Sequence, residues 1–254
     1  MTAWRFVELR DLEPYRFQCM REALAFSVGE GFSPNALLFT QLAGEHISMG
    51  RNTSRNKMVH LDFCRGNGIQ ITRSFSPANK PLFIDQNTIR CLVVANRDTF
   101  DMNVAEQLFY EATIVSLENL GLEGKRIPKT NNVVVKERKI FLCSFRAYKN
   151  SILFPWGITL DFNYDRAENA IFSPNNMRKG ITTFKKELGR EVSVDELKDA
   201  VKQGFQQTLG IEFEGGELSP QELNNIEELL PKYTSETWLK YGKWSPVKDY
   251  WRPE

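Results

Sequence analysis

Hydrophobic and polar positions alternate most tightly between residues 131 and 164. Val133, Val134 and Val135, then Ile140, Phe141 and Leu142, form two β-branched and apolar runs split by the charged tetrad Lys136 to Lys139, and Ile152 to Phe162 forms a third. Three neighbouring strands are expected. Successive strand side chains turn to opposite faces, which puts Lys139, Phe141 and Cys143 on one face and Arg138, Ile140 and Leu142 on the other. One ammonium then starts a largely apolar strand.

Elsewhere the pattern switches between helical and extended periods. Phe17, Met20, Leu24 and Phe26 mark a helix over residues 12–28, stopped by Gly29 and Gly31. Residues 36–41, 46–50 and 69–73 read as short strands, 58–65 as a short helix, and 88–95 as a strand of the buried type. Val104, Leu108, Ala112 and Val115 recur at helical spacing across 101–120, and Gly121 ends that helix. Ser193 to Glu196 is a capping box opening a helix with Leu197, Ala200, Val201, Gly204, Phe205 and Leu209 on one face, closed by Gly210. A second box, Ser219 to Glu222, has proline at the first helical position, and its apolar face runs to Pro231. The aromatic tail, with Tyr241, Trp244, Tyr250 and Trp251, is expected to pack on the core or on a neighbouring subunit. The division expected is a main domain over 1–215 with a helical and aromatic extension over 216–254 packed on it.

Composition narrows the function classes. With 254 residues, 41% apolar and 12% aromatic, the chain can bury a large core. Lys plus Arg number 33 against 32 Asp plus Glu, so no overall field attracts nucleic acid or an anionic membrane, and neither is an expected partner. Charge interrupts every short apolar run at the start, and no stretch reaches the ~18 apolar residues of a spanning helix, so a cytoplasmic protein is expected. Cys19, Cys64, Cys91 and Cys143 are widely spaced, with only His46 and His60 beside them. Small buried hydrophobes are expected of the cysteines, and no disulfide framework or metal site.

The strand Arg138-Lys139-Ile140 after Asn131-Asn132, the strand Gly157 to Asp165, the turn Gly50-Arg51-Asn52 and the run Leu188 to Leu197 together resemble the biotin and lipoate protein ligase superfamily. The likeness is to its lipoate-protein ligase and lipoyl/octanoyl transferase branch more than to biotin attachment. It covers roughly residues 12–245 and implies an α+β fold, a mixed and mostly antiparallel sheet flanked by helices. In that family the lysine of the Arg-Lys-Ile strand contacts the carboxyl and phosphate of an acyl-adenylate. Lys139 matches that lysine, Asn131 and Asn132 the polar step before it, and Arg51, Arg73 and Ser76 the anion contacts. The departure is the ligand loop: Pro77, Ala78 and Asn79 stand where the family has three glycines, its histidine is missing, and Trp156 replaces another histidine. Proline fixes φ and removes an N–H, so this loop cannot offer the same cradle of amides.

Two functions follow. One is an enzyme that attaches lipoate or octanoate to a lysine of a lipoyl-carrier domain, of the 2-oxoacid dehydrogenase E2 or glycine-cleavage H protein type. ATP with Mg²⁺ and the acyl acid would be its substrates, and a separate accessory subunit its helper. The other is a non-catalytic subunit or scaffold that keeps the fold after losing the loop. Lys139 is either the cation that stabilises developing negative charge or a solvated member of its charge run. Cys143, on the same strand face, is either an acyl-thioester nucleophile activated by that cation or a small buried hydrophobe. The family's amidotransferases carry their cysteine at other positions, which hold none here.

Overall fold

The computed structural model describes residues 4–127, 130–172 and 177–244. From the N-terminus the elements are β1 (Trp4–Leu12), α1 (Pro14–Gly29), β2 (Ala36–Leu42), β3 (His46–Met49), α2 (Arg55–Met58), α3 (Leu61–Gly66), β4 (Gln70–Arg73), β5 (Leu82–Ile84) and β6 (Thr88–Asn96). Next come α4 (Met102–Glu118), β7 (Lys125–Ile127), β8 (Asn132–Val135), β9 (Arg138–Cys143), β10 (Arg146–Tyr148) and β11 (Ser151–Thr159). The chain continues through α5 (Tyr164–Ala170), α6 (Met177–Gly180), α7 (Phe184–Leu188), α8 (Val194–Leu209), β12 (Phe213–Gly215), α9 (Pro220–Thr234) and α10 (Glu236–Tyr241).

The expected mixed sheet is present. Nine strands run in the order β12-β1-β2-β6-β11-β9-β8-β7, with β10 added beside β11, and a smaller sheet runs β4-β3-β5. In the large sheet only β12 and β2 lie parallel to β1; every other pairing is antiparallel. Strands 36–41 and 46–50 therefore do not form a hairpin, since β2 joins the large sheet and β3 the small one.

Side-chain alternation assigns the helices to faces. Leu37, Phe39, Cys91, Val93, Phe154, Trp156, Ile158, Phe141 and Cys143 pack on one face with Phe109 and Ala112 of α4 and Leu197, Val201 and Phe205 of α8. Gly204 lets those helices touch, because a Cβ there would stand 2.3 Å from Ser116 Oγ. On the other face Leu38, Leu92, Val94 and Leu153 meet Phe17, Met20 and Leu24 of α1, and Ile226, Leu229 and Tyr233 of α9 close over them. All four cysteines are buried and unpaired. Among the described residues no helix is long and apolar enough to cross a membrane.

Three local expectations are corrected. Ser193 accepts from the Glu196 amide, but the Glu196 carboxylate is held by Arg190 and does not complete the box; the box at Ser219 and Glu222 is complete. Residues 58–65 are two short helices, parted where Val59 bridges to Ile171. Pro231 does not end α9, which runs on to Thr234 because Tyr233 is fully buried and its hydroxyl donates to Glu22 Oε2 at 2.6 Å. Of the aromatic tail, Tyr250 and Trp251 lie outside the described residues.

Candidate functional site

Strand register decides which side chains share a face. Asn132 pairs with Leu142, Leu142 with Gly157, Gly157 with Arg90, and Arg90 with Thr40, so these five residues form one row across five strands. The adjacent row, Val133, Phe141, Ile158 and Ile89, points into the α4 and α8 core. The row of Asn132 therefore faces the opposite side, and its Leu142 is 37% exposed in mid-strand.

Lys139 joins that face through a bulge. The β8 and β9 register slips between Val133 and Val134, so Val134 opposes Lys139 while Val133 opposes Phe141, leaving Ile140 as the extra residue. The expected grouping of Lys139 with Phe141 and Cys143 is corrected accordingly. Ile140, Phe141 and Cys143 are all buried in the core, and Lys139 projects from the same side as Asn132 and Leu142. Cys143 is 2% exposed and behind the sheet from Lys139, and burial raises its thiol pKa, so the cation does not activate it.

The charge run around Lys139 is otherwise neutralised. Lys136 and Arg138 hold Glu187 at 3.3 and 2.6 Å, and Lys125 holds Glu137. Burial opposes ionisation of Glu187, yet the Thr182 hydroxyl, Lys136 and Arg138 outweigh it and keep its pKa below the usual carboxylate range. Among the described residues Lys139 has no carboxylate partner; its backbone carbonyl accepts from Thr182 N at 2.8 Å. Asn132 is buried, and its Oδ1 has no hydrogen-bond partner. Asn131 is exposed, and its side chain accepts from Tyr110 at 3.5 Å.

The other expected contacts fall into two groups. Arg73 is fully buried: Nη1 donates to the carbonyls of Gly50, Arg51 and Thr53, while Nε and Nη2 donate to Leu239 and Lys240. Every donor is committed, which makes Arg73 the pin that fastens α10 to the turn after β3. Arg51 is exposed, and its Nε donates to Gly242 O at 3.4 Å. The loop that departs from glycine is closed onto the same turn. Arg51 N donates to Ser76 O at 2.6 Å, Thr53 Oγ1 donates to Ala78 O, and a Cβ on Gly50 would stand 2.2 Å from Ala78 O.

Ser76 leads to residues that sequence reasoning missed. Arg21 of α1 donates to the hydroxyls of Ser74 and Ser76 at 3.0 and 3.2 Å and to Gln18 Oε1 at 3.1 Å. Gln18 itself spans to Ser48 and Thr72 of the small sheet. Arg90 lies over Gly157, where a Cβ would stand 2.5 Å from its Nη1. Arg146 donates to Ser144 Oγ. The Nε atoms of all three arginines are buried without partners, as are both ring nitrogens of His46. Burial, then the charges of Arg90 and Arg146, bring Arg21 down to about 9, and burial brings Arg90 down to about 10. His46 is held down to about 3 by burial and by Arg90. An arginine inside the apolar run Thr88 to Ala95 was the signal available in the sequence.

Residues 13–206 match the family model for the lipoyl protein ligase A/B catalytic domain. The octanoyltransferase LipM of Clostridioides difficile is 22% identical over 270 residues, an alignment spanning 94% of this chain and 99% of that protein. Among solved structures, a bipartite lipoate protein ligase from Thermoplasma acidophilum, studied with its E2 lipoyl domain, superposes with a TM-score of 0.86 at 22% identity, covering 98% of this chain and 100% of the other. A lipoate-protein ligase A bound with ATP gives 0.85 at 22% identity, covering 95% and 99%.

Proposed function

The chain belongs to the lipoyl protein ligase A/B catalytic-domain family, and from that premise we propose that it transfers a lipoyl or octanoyl group to a lysine side chain of a lipoyl-carrier domain. The observation that carries the reading is Lys139: a bulge turns it out of the core onto the face of Asn132, and it alone in its charge run has no carboxylate among the described residues. In the transfer, the carrier amine attacks the acyl carbonyl carbon and a C–N bond forms. The C–O bond of an acyl-adenylate or the C–S bond of a thioester breaks, and the amine loses its proton. The Lys139 ammonium stabilises the oxyanion that develops in between, as a compact cationic donor does. Asn132 supplies an amide beside it, and Arg51 keeps its Nη groups for the anionic part of the donor.

The related ligase A with ATP supports the adenylate route, with Mg²⁺ arriving on the triphosphate; the octanoyltransferase relative supports the thioester route. The archaeal bipartite ligase studied with its E2 lipoyl domain supports a carrier of the E2 type and a second protein completing the ligase; a carrier of the H-protein type and action in the cytoplasm belong to the same proposal. A second reading, a non-catalytic subunit, is favoured by one observation: the loop at Ser76 to Ala78 is stapled to Gly50 and Arg51, where the family places a ligand cradle. Intact-mass analysis of a carrier domain separates the two. The first reading expects an acyl mass added by the wild type and none by Lys139→Ala, whereas equal modification by both proteins removes Lys139 from the reaction.

A further inference from the structure

The guanidinium groups of Arg21 and Arg90 enter the buried layer between the large sheet, α1 and the small sheet, half-buried Arg146 borders them, and among the described residues no carboxylate pairs with any of the three. Arg21 and Arg90 are 4% and 7% exposed. The acceptors of Arg21 are all neutral, Arg146 has one serine hydroxyl, and no described residue accepts from Arg90. Each keeps a buried Nε without a partner. The three are near enough that Arg90 and Arg146 repel the proton on Arg21. Buried cations without counter-charge are costly, and native proteins keep them where a ligand supplies the charge.

The register also places this cluster relative to the reactive end. Arg90 lies two strands from the row position of Leu142, and Lys139 lies about three residues further along β9. Two steps of ~4.8 Å and about three of ~3.3 Å separate the two Cα atoms by roughly 14 Å on one face. Between them Gly157 presents bare backbone, with the Arg90 guanidinium laid over it. Phe75 borders the cluster, its ring tilted at 57° against Tyr148 and its centroid 5.6 Å from Arg21 Cζ.

We propose that Arg21, Arg90 and Arg146 seat an oxyanion at the far end of the acyl group, so that this chain takes an acyl chain ending in a carboxylate or a similar anion. The inference rests on the acyl-transfer reading and specifies its substrate class. The same guanidinium chemistry would also hold a nucleotide phosphate, and the test separates the two sources.

The test is calorimetric titration of the full chain at low salt with octanedioate, octanoate, lipoate, inorganic phosphate and ATP. Octanedioate is expected to bind at least about tenfold more tightly than octanoate, the usual scale for a charge seated on buried partners. Arg90→Met is expected to erase that preference while raising the melting temperature of the free protein, since it removes an uncompensated charge. Gly157→Ala, which displaces the guanidinium without removing it, is expected to reduce the preference as well. Octanoate or lipoate binding as tightly as octanedioate, a preference that survives Arg90→Met, or no binding by any acid overturns the proposal. Competition between octanedioate and ATP or phosphate assigns the seat to the nucleotide and also overturns it. Carrier modification by the wild type with octanoate bound in preference leaves the acyl-transfer reading standing while this one falls; tight octanedioate binding with no carrier modification does the reverse.

Discussion

Lys139, Arg73 and His46 illustrate how differently three polar side chains in one region are used. Lys139 is exposed, and its side chain has no ion-pair partner among the described residues. Lys139→Ala is therefore expected to change stability by less than about 0.5 kcal/mol in urea denaturation while abolishing acyl transfer, a split that a merely structural lysine would not give. Arg73 is the converse. Replacing it by Met leaves the carbonyls of Thr53 and Leu239 unpaired and frees α10, and a loss of about 3 kcal/mol or more is expected in the same experiment. His46 sets a pH dependence. Its folded pKa of about 3 lies below the ordinary ~6.5, so its contribution is complete above the unfolded value and is lost as pH falls toward the folded one. Stability is expected to fall between pH 6.5 and 5 by up to about 1.4 kcal/mol per unit, and His46→Thr to flatten that slope. An unchanged slope in the variant would assign the pH dependence to other groups.

At the level of elements, the hairpin of β8 and β9 does the positioning. Its turn residues Lys136 and Glu137 have φ of 47° and 64°, a left-handed pair that matches strand twist but strains residues with a Cβ. Glu137→Gly is expected to raise stability by roughly 0.5–1 kcal/mol, measured by thermal unfolding, with the exposed contact to Lys125 too weak to offset it. This hairpin also marks the boundary of what the sequence made legible. Apolar runs located β8, β9, β11 and β6, and Asp101, Ser193 and Ser219 marked the helix starts, because patterning and capping are local. The face of Lys139 was not legible, since period-2 alternation fails at a bulge and the slip is set by tertiary pairing. The fate of Arg73 was hidden for the same reason: its acceptors at Leu239 and Lys240 lie 166 and 167 residues away. Pro231 misled because a buried Tyr233 holds the last helical turn against local preference.

For the whole molecule, one face of the large sheet is an apolar core under α4 and α8, and the other, which also carries Lys139, combines apolar packing under α1 and α9 with a polar, cationic layer. The family's fold is thus retained with Pro77, Ala78 and Asn79 in the loop after β4 and with Arg21, Arg90 and Arg146 unpaired by any carboxylate among the described residues, an arrangement that costs stability. The most direct measurement is the intact mass of a lipoyl-carrier domain incubated with this protein, ATP, Mg²⁺ and lipoate, octanoate or octanedioate, and in parallel with an acyl-carrier-protein thioester. Acyl transfer predicts a single added acyl mass on one carrier lysine with at least one donor. An unchanged carrier with every donor, alongside tight carrier binding, would contradict it and leave the non-catalytic subunit.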